Sequence, residues 1–412
     1  MSAGQVSFGR FVADCAAAGR LVVQPRMGFG DLRRMRAGLE RTRFAAATTV
    51  GTVTIDSYTR VGAHAAARRA LAEGTALNGY PIVAYPQETT RALLDGVRDD
   101  TFPVQVRHGS SRPESIIRAL TAAGLDATEG GPVSYCLPYG RTPLRESVRH
   151  WARGCELLAE RAPGTAHVES FGGCLLGQLC PPGLLVAISL LEALFFARHG
   201  IGSVSLSYAQ QTNPDQDAEA VRALRRLAGE FLPAHVDRHV VLYTYMGVFP
   251  TTVGGARRLL EASARLAVRA GAQRLIVKTS AEAHRIPTVE ENVRALETAA
   301  ATAEATDTGG PEAPDTGVYA EARALVEAVL DLDVELGRAL HAAFRRGLLD
   351  VPYCLHPDNA GQSRSWIDDS GWLRWSAVGR MPIRAAAPGD RPAMTSTRLL
   401  AALHTVARRY DH

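Results

Sequence analysis

The sequence lacks the signals of several large protein classes. Its six cysteines include no CxxC pair and no Cys/His spacing of a zinc site, so we interpret them as reduced cytosolic thiols and predict no metal site. The net charge is only +4, with arginines interleaved among acidic residues, so we expect no nucleic-acid partner. No GxxxxGK[ST] loop is present, and no GxGxxG follows a predicted strand. The sequence therefore carries neither of these nucleotide-binding motifs.

Hydrophobic segments for export or membrane insertion are also missing. Residues 1–20 contain no apolar core of the kind that a signal peptide needs. The most apolar run, residues 184–196, is too short to span a bilayer and contains Glu192, which favours a buried helix. We therefore expect a cytoplasmic protein with no membrane contact.

What the chain does contain is a long alternation of strand-like and helix-like segments. With 46% hydrophobic and 21% charged residues it has the composition of an ordinary globular protein. Between about residues 20 and 285, short β-rich runs alternate with runs rich in Ala, Arg and Leu, which predicts an α/β fold, a (β/α)8 TIM-like barrel. An open doubly wound sheet remains an alternative, because periodicity does not show closure. The nine strand candidates are residues 21–25, 52–56, 81–85, 103–108, 132–136, 167–171, 203–208, 240–245 and 275–279.

A change in composition predicts the domain organisation. We assign residues 1–298 to the barrel, which would be the catalytic domain. Residues 299–317 are small, acidic and interrupted by Pro and Gly, which is typical of a linker. Residues 318–412 would form a helical and loop-rich C-terminal extension that packs on the barrel.

Charged and phenolic side chains follow several strand candidates. Arg26, Arg60 and Arg107 each stand close to the end of a predicted strand, and the loops after parallel strands converge on one face of such a fold. Three arginines around one cavity need an anion, and a dicarboxylate suits their planar forks. The stretch TEGGPVSYCLPYGR adds Glu129, which suits an ammonium group, together with phenols that suit carboxylates. Those phenols belong to Tyr135 and Tyr139.

Other candidate residues have simpler explanations. Lys278 and Glu282 have the spacing of a surface i,i+4 ion pair. Cys174 and Cys180, in a glycine-rich stretch, are predicted to be buried thiols. The sequence around His239 begins like the DxHxxG motif that supplies an axial histidine to cobalamin, but Leu242 replaces the glycine, so we treat the match as chance.

Eight ordered motifs carry a family resemblance that covers nearly the whole chain. They are LVVQPRMGFG, TIDSYTR, LNGYP, VQVRHG, EGGPVSYCLPY, YMGVFP, VKTSAEAHRIPT and DVPYCLHPDNAG. Their order and spacing resemble those of the epsilon subunit of glutamate mutase, also called methylaspartate mutase component E. The resemblance implies a (β/α)8 barrel that shares adenosylcobalamin with a small cobalamin-binding subunit. That subunit would carry the DxHxxG motif and join a dimer of this chain in a heterotetramer.

The resemblance also implies a reaction and roles for individual residues. The family isomerises L-glutamate to L-threo-3-methylaspartate by a radical mechanism, in which a deoxyadenosyl radical abstracts a substrate hydrogen. Glu129 would act on the ammonium group as the catalytic carboxylate. Two alternatives stay open: a mutase for another amino dicarboxylate, and a catalytically silent homologue that binds an acidic amino acid. By resemblance, the substrate would contact Arg26, Arg60, Arg107, Glu129, Tyr135 and Tyr139, and the cofactor would contact Lys278, Glu282, Asn78, Pro138, Phe171, Met246 and Ile286.

Overall fold

The computed structural model describes residues 7–138, 140–174, 179–307, 315–385 and 394–412. Within these residues, eight parallel strands form one sheet in the order β1-β8-β7-β6-β5-β4-β3-β2. The strands are β1 (Val22–Gln24), β2 (Gly51–Thr54), β3 (Val104–Arg107), β4 (Ala127–Gly130), β5 (His167–Ser170), β6 (Ser203–Ala209), β7 (Asp237–Tyr243) and β8 (Arg274–Ile276).

Contacts between the first two strand regions bring the edges of the sheet together. Val23 of β1 forms a parallel bridge with Thr49, which lies just before β2. The amide of Val23 also donates to the carbonyl of Thr48 at 2.9 Å. Because β1 and β2 are the two edge strands of the sheet, these contacts nearly close it into a barrel. The predicted (β/α)8 TIM-like barrel is confirmed.

Helices connect successive strands and continue into the C-terminal region. A short 3₁₀ helix, Gly172–Cys174, follows β5, and a two-stranded antiparallel sheet forms from β9 (Arg364–Ile367) and β10 (Leu373–Ala377). The α-helices are α1 (Phe8–Ala17), α2 (Leu32–Arg43), α3 (Ser57–Arg60), α4 (His64–Ala72), α5 (Gln87–Leu94), α6 (Glu114–Ala122), α7 (Leu144–Arg161), α8 (Pro182–Arg198), α9 (Pro214–Phe231), α10 (Val253–Ala270), α11 (Val289–Glu304), α12 (Val318–Leu330), α13 (Leu336–Arg346), α14 (Ser396–Leu403) and α15 (Thr405–Asp411).

Two of the nine predicted strands are wrong. Residues 81–85 form turns, in which Pro81 accepts hydrogen bonds from the amides of the third and fourth residues after it. Residues 132–136 form helical turns, because the buried carboxylate of Glu192 accepts the amides of Val133 and Ser134 at 3.0 and 2.8 Å, as an N-cap does. The fourth barrel strand lies just before them, at Ala127–Gly130.

Helix α8 contains the most apolar run of the sequence and is buried, as predicted. Its residues from Pro182 to Phe196 are buried all around the helix. Helix α12 of the C-terminal region packs against α8 and α9, so α8 lies beneath a second layer of helices. Among the described residues, no helix combines the length and apolar character needed to cross a bilayer.

The C-terminal region lies against the barrel helices. Helix α11 runs to Glu304 and so includes the first residues of the predicted linker 299–317. Residues 308–314 of that linker lie outside the described residues. The division of the chain at residues 298 and 317 stays a prediction.

Candidate functional site

A cavity of about 350 Å³ opens where the barrel strands end. Carboxyl ends of parallel strands share one face of a barrel, and loops on that face surround the cavity. Of the residues predicted from sequence to form a site, the structure brings together Arg26, Arg60, Arg107, Glu129, Tyr135, Asn78, Phe171, Glu282 and Ile286 in the wall of this cavity.

Arg107 and Glu129 form an ion pair in the floor of the cavity. Arg107 ends β3 and Glu129 lies in β4, and both side chains are almost fully buried. The Nη2 of Arg107 lies 2.6 Å from Oε2 of Glu129. Tyr135 donates its hydroxyl hydrogen to Oε1 of the same carboxylate. The carboxylate is therefore held in one orientation from two sides.

A second buried carboxylate, which the sequence prediction missed, is linked to the first by Tyr243. The hydroxyl of Tyr243 lies 3.1 Å from Oε2 of Glu129 and also contacts Oε1 of Glu169. It accepts a hydrogen bond from Nη2 of Arg107 at 2.9 Å. Glu169 in turn pairs with Arg274 inside the barrel. A glutamate in the middle of the apolar strand candidate HVESF was the signal that could have indicated this network.

The two linked carboxylates have pKa values shifted in opposite directions. Burial, reinforced by the nearby charge of Glu169, raises the pKa of Glu129, although Arg107 opposes the shift. Burial also acts on Glu169, but the guanidinium groups of Arg274 and Arg107 outweigh it and lower the pKa of Glu169. Glu129 is therefore the more basic carboxylate of the two, and it is the one that faces the cavity.

Glu282, in another part of the cavity wall, contacts both Arg26 of the same wall and Lys278, which does not itself line the cavity. Nη1 of Arg26 donates to Oε1 of Glu282 at 2.8 Å, and Nζ of Lys278 lies 3.7 Å from the same oxygen. Lys278 is only 6% exposed and stands over the ring of Phe249 at 4.8 Å, and burial lowers its pKa to about 8. Glu282 thus joins two cations, and Lys278 is not the surface residue that its spacing predicted.

Arg60 differs from the other two arginines because it has no carboxylate partner among the described residues. It ends the short helix α3, whose N-cap is Asp56. Its Nε donates to the carbonyl of His108 at 3.1 Å. The remaining guanidinium donors of Arg60 are available to an anion in the cavity.

Three buried polar atoms in the cavity wall have no hydrogen-bond partner within the described ranges of the chain: Nη1 of Arg107, Nε2 of His108 and Oγ1 of Thr54. The Nδ1 of His108 accepts the amide of Ser110 at 2.9 Å, and burial lowers the pKa of His108 to about 3. The ring is therefore neutral and carries its proton on Nε2. A buried donor without a partner costs about 1–3 kcal/mol, so the wall favours a ligand that brings acceptors. The sequence prediction did not include His108, although it follows Arg107 directly.

Comparison with known proteins identifies the family. The model of the methylaspartate mutase E chain family matches residues 4–391. The chain belongs to this family. The glutamate mutase epsilon subunit of Halobacterium salinarum is 32% identical over 389 residues, which cover 91% of this chain and 81% of that protein. The corresponding subunit of Haloarcula marismortui is 31% identical over 380 residues, which cover 89% and 77%. Family membership confirms the resemblance found in the sequence and supports a mutase role.

A solved structure with a similar arrangement is the HMG-CoA lyase from Brucella melitensis. The alignment covers 69% of this chain and 98% of the lyase chain, with 14% sequence identity and a TM-score of 0.39. The barrel is established by the strand order of this chain and not by that likeness.

The remaining predicted residues of this mutase-family chain lie around or outside the cavity. Pro138 and Met246 are half-buried and do not line it, and Tyr139 lies outside the described residues. Arg141, the last residue of TEGGPVSYCLPYGR, is exposed and does not line the cavity. Cys174 and Cys180 are buried thiols, which was also predicted. His239 is buried within β7, where it accepts a hydrogen bond from Arg274 at 3.3 Å.

Proposed function

We propose that this chain is the catalytic subunit of an adenosylcobalamin-dependent glutamate mutase, which interconverts L-glutamate and L-threo-3-methylaspartate. The observation that carries the proposal is the buried pair of Arg107 and Glu129 in a cavity that also contains Arg26 and Arg60. Such a wall offers cationic forks for carboxylates and one carboxylate for an ammonium group. L-Glutamate presents both kinds of group.

The arginines would hold the two substrate carboxylates. Nη1 of Arg107 is a buried donor without a partner, and Arg60 has no carboxylate partner among the described residues. Nε2–H of His108 adds a neutral donor beside them. Each charge-assisted hydrogen bond that a substrate carboxylate accepts there is worth about 1.5–3 kcal/mol. Arg26 would join them, and it could do so without leaving Glu282 because a guanidinium has five donors.

Glu129 would bind the substrate ammonium and adjust its protonation. The raised pKa of Glu129 makes it a better proton acceptor than a surface carboxylate. Tyr135 and Arg107 fix the direction of its two oxygens. Phe171, which is buried, lies in the same wall and helps to exclude water.

The residues present also fit the adenosyl part of the cofactor. Glu282 offers an acceptor and Lys278 a donor, which suit the two ribose hydroxyls, and both are held in place by their mutual ion pair. Ile286 lines the cavity and yet is 53% exposed, so an apolar surface is available to a flat group at the cavity mouth. By resemblance, the other cofactor contacts would be Asn78, Pro138, Phe171 and Met246. When bound, adenosylcobalamin supplies a carbon-centred radical by homolysis of its cobalt–carbon bond.

A separate small subunit would complete the site. The only partial DxHxxG sequence we identified in this chain leads to His239, which is buried in the barrel interior and bonded to Arg274. An axial histidine would therefore come from a partner that carries the full motif. We propose the same heterotetramer that the resemblance implies, with two copies of each chain.

The experiment that tests this function uses the full chain, a matching small subunit, adenosylcobalamin and L-glutamate. Formation of 3-methylaspartate, followed by NMR, is the expected result. Product from another amino dicarboxylate but not from glutamate would redirect the proposal to a related mutase. Tight glutamate binding without turnover would overturn the enzymatic role and favour a silent binding protein.

A further inference from the structure

A second cavity lies on the outer side of the barrel and shares no lining residue with the one described above. Its volume is about 250 Å³, and it lies between α9, α10 and the C-terminal helix α15. The loop that follows β6 also lines it. Four arginines contribute to its wall: Arg222, Arg265, Arg269 and Arg409.

These four arginines leave the second cavity with an excess of positive charge. None of them forms an ion pair with a carboxylate in the part of the chain that the structure describes. By contrast, two other arginines of the same helices are paired: Arg226 binds Glu230 at 2.9 Å and Arg257 binds Glu261 at 2.8 Å. The charges of Arg265 and Arg409 both oppose the burial that raises the pKa of Tyr410, so these two guanidinium groups lie near the same phenol. Nη1 of Arg409 also donates to the carbonyl of Thr212 at 2.6 Å. Guanidinium groups without a carboxylate partner around a cavity favour an anion.

Two acidic residues also line the second cavity, and neither neutralises the arginines by a direct pair. Asp215 is exposed at the start of α9. Asp217 is buried, and its carboxylate accepts the hydroxyl of Tyr208 and the amide of Gln211, both at 2.9 Å. Its oxygens can accept a further hydrogen bond from a ligand.

One buried side-chain atom that has no hydrogen-bond partner among the described residues distinguishes this cavity from a merely basic groove. Gln211 is only 4% exposed, and its Nε2 donates to the carbonyl of Ala209 at 3.0 Å. This bond fixes the orientation of the amide, because a carbonyl requires a donor. In the part of the chain that the structure describes, Oε1 of Gln211 then has no partner. A buried acceptor without a partner favours a ligand that donates a hydrogen bond.

We propose that the second cavity binds a small oxyanion that carries a hydrogen-bond donor of its own. The arginines would hold the anionic oxygens, and Gln211 with Asp217 would accept the ligand hydrogen. Monohydrogen phosphate is the simplest ligand of this kind, and hydroxy or amino carboxylates share the same chemistry. Sulfate has the same charge and shape as monohydrogen phosphate but has no hydrogen to donate, so the acceptors would disfavour it.

Titration of the intact chain with matched anions tests the proposal. Calorimetry near pH 8, at constant ionic strength to equalise screening, would compare phosphate with sulfate and glycolate with acetate. We expect saturable phosphate binding at least about tenfold tighter than sulfate binding, which corresponds to about 1.4 kcal/mol. If the preference for glycolate over acetate equals or exceeds the preference for phosphate over sulfate, the natural ligand is a hydroxy carboxylate. Sulfate binding as tight as phosphate binding, or no saturation by any of the four anions, would overturn the proposal.

Variants assign the binding to this cavity. Arg265→Gln and Arg222→Gln should each weaken phosphate binding by about tenfold or more. The matched control Arg226→Gln, one turn after Arg222 on α9 but paired with Glu230 and not lining the cavity, should bind phosphate normally. Gln211→Leu should reduce the preference for phosphate over sulfate, and circular dichroism would verify that each variant is folded. Unchanged phosphate binding in both arginine variants would show that phosphate does not bind in this cavity, which would overturn the proposal.

Discussion

The guanidinium of Arg107 and the carboxylate of Glu129 form a buried ion pair of 2.6 Å in the floor of the cavity at the strand ends. Each group was predicted to bind the substrate, and in the structure each also binds the other. Removing one partner would leave an uncompensated buried charge, which commonly costs about 3–5 kcal/mol. A variant at this pair is therefore informative only if it stays folded, so that a change in ligand affinity does not reflect unfolding.

Replacing Arg107 with lysine tests the role of its planar fork. Lysine keeps the positive charge beside Glu129 but cannot form paired hydrogen bonds with a carboxylate. We expect glutamate affinity to fall by at least about tenfold, since each lost charge-assisted bond is worth about 1.5–3 kcal/mol. Equilibrium binding measures the effect, and Arg112→Lys, at an exposed pair with Glu146, is the control. Unchanged affinity in Arg107→Lys would show that Arg107 does not bind substrate.

Glu129→Gln tests whether this carboxylate recognises the substrate ammonium. The variant removes the negative charge with little change of shape, and Arg107 keeps its hydrogen bond to Tyr243 and the nearby charge of Glu169. A ligand without an ammonium group should therefore lose nothing. We expect glutamate affinity to fall by about tenfold or more, whereas the affinity for glutarate should stay the same or rise. Binding assays with both ligands measure this difference. An equal loss for the two ligands would indicate damage to the whole cavity.

How much of this site the sequence could predict depends on how local each signal is. Arg26, Arg60 and Arg107 were found because each stands close to the end of a short β-rich segment. Residues 132–136 were mistaken for a strand because their local β propensity is overridden by Glu192, which lies far away in sequence.

The buried network behind Glu129 was beyond sequence reasoning for a related reason. Glu169 and Arg274 lie 105 positions apart, and only closure of the barrel brings β5 and β8 close enough for their side chains to pair. A single charged residue in a strand indicates a buried site but not its partner. The second cavity likewise depends on how α15 folds back onto α9 and α10.

Glu282→Gln tests the link between the proposed cofactor contacts and Arg26. The neutral amide would lose the ion pairs with Arg26 and Lys278, which measure 2.8 and 3.7 Å. We expect adenosylcobalamin affinity of the assembled two-subunit enzyme to fall by about tenfold, while glutamate affinity of the isolated chain does not fall, because Arg26 is released. Glu290→Gln, at an exposed position of α11, is the control. Loss of glutamate binding instead would place Glu282 in the substrate contacts.

Glu321 provides a test of how the C-terminal region packs on the barrel. It lies in α12, where it accepts a hydrogen bond from Nε1 of Trp375 at 3.3 Å, and burial raises its pKa from 4.5 to about 7. A carboxyl group whose pKa is raised by folding stabilises the folded state at pH values below its unfolded pKa. That contribution is lost as the pH rises through the folded pKa. The free energy of unfolding should therefore decrease between about pH 5 and pH 8.

Glu321→Gln should reduce this pH dependence, because the amide has no proton to lose. At pH 8 we expect the variant to be more stable than the original chain by about 1–3 kcal/mol, and the difference should shrink towards pH 5. Urea denaturation at several pH values measures it. Glu327→Gln is the matched control, since Glu327 lies on the same helix but is exposed and paired with Arg323 at 2.8 Å. Parallel pH profiles for the original chain and Glu321→Gln would mean that Glu321 remains solvated, and that α12 does not bury it against the barrel.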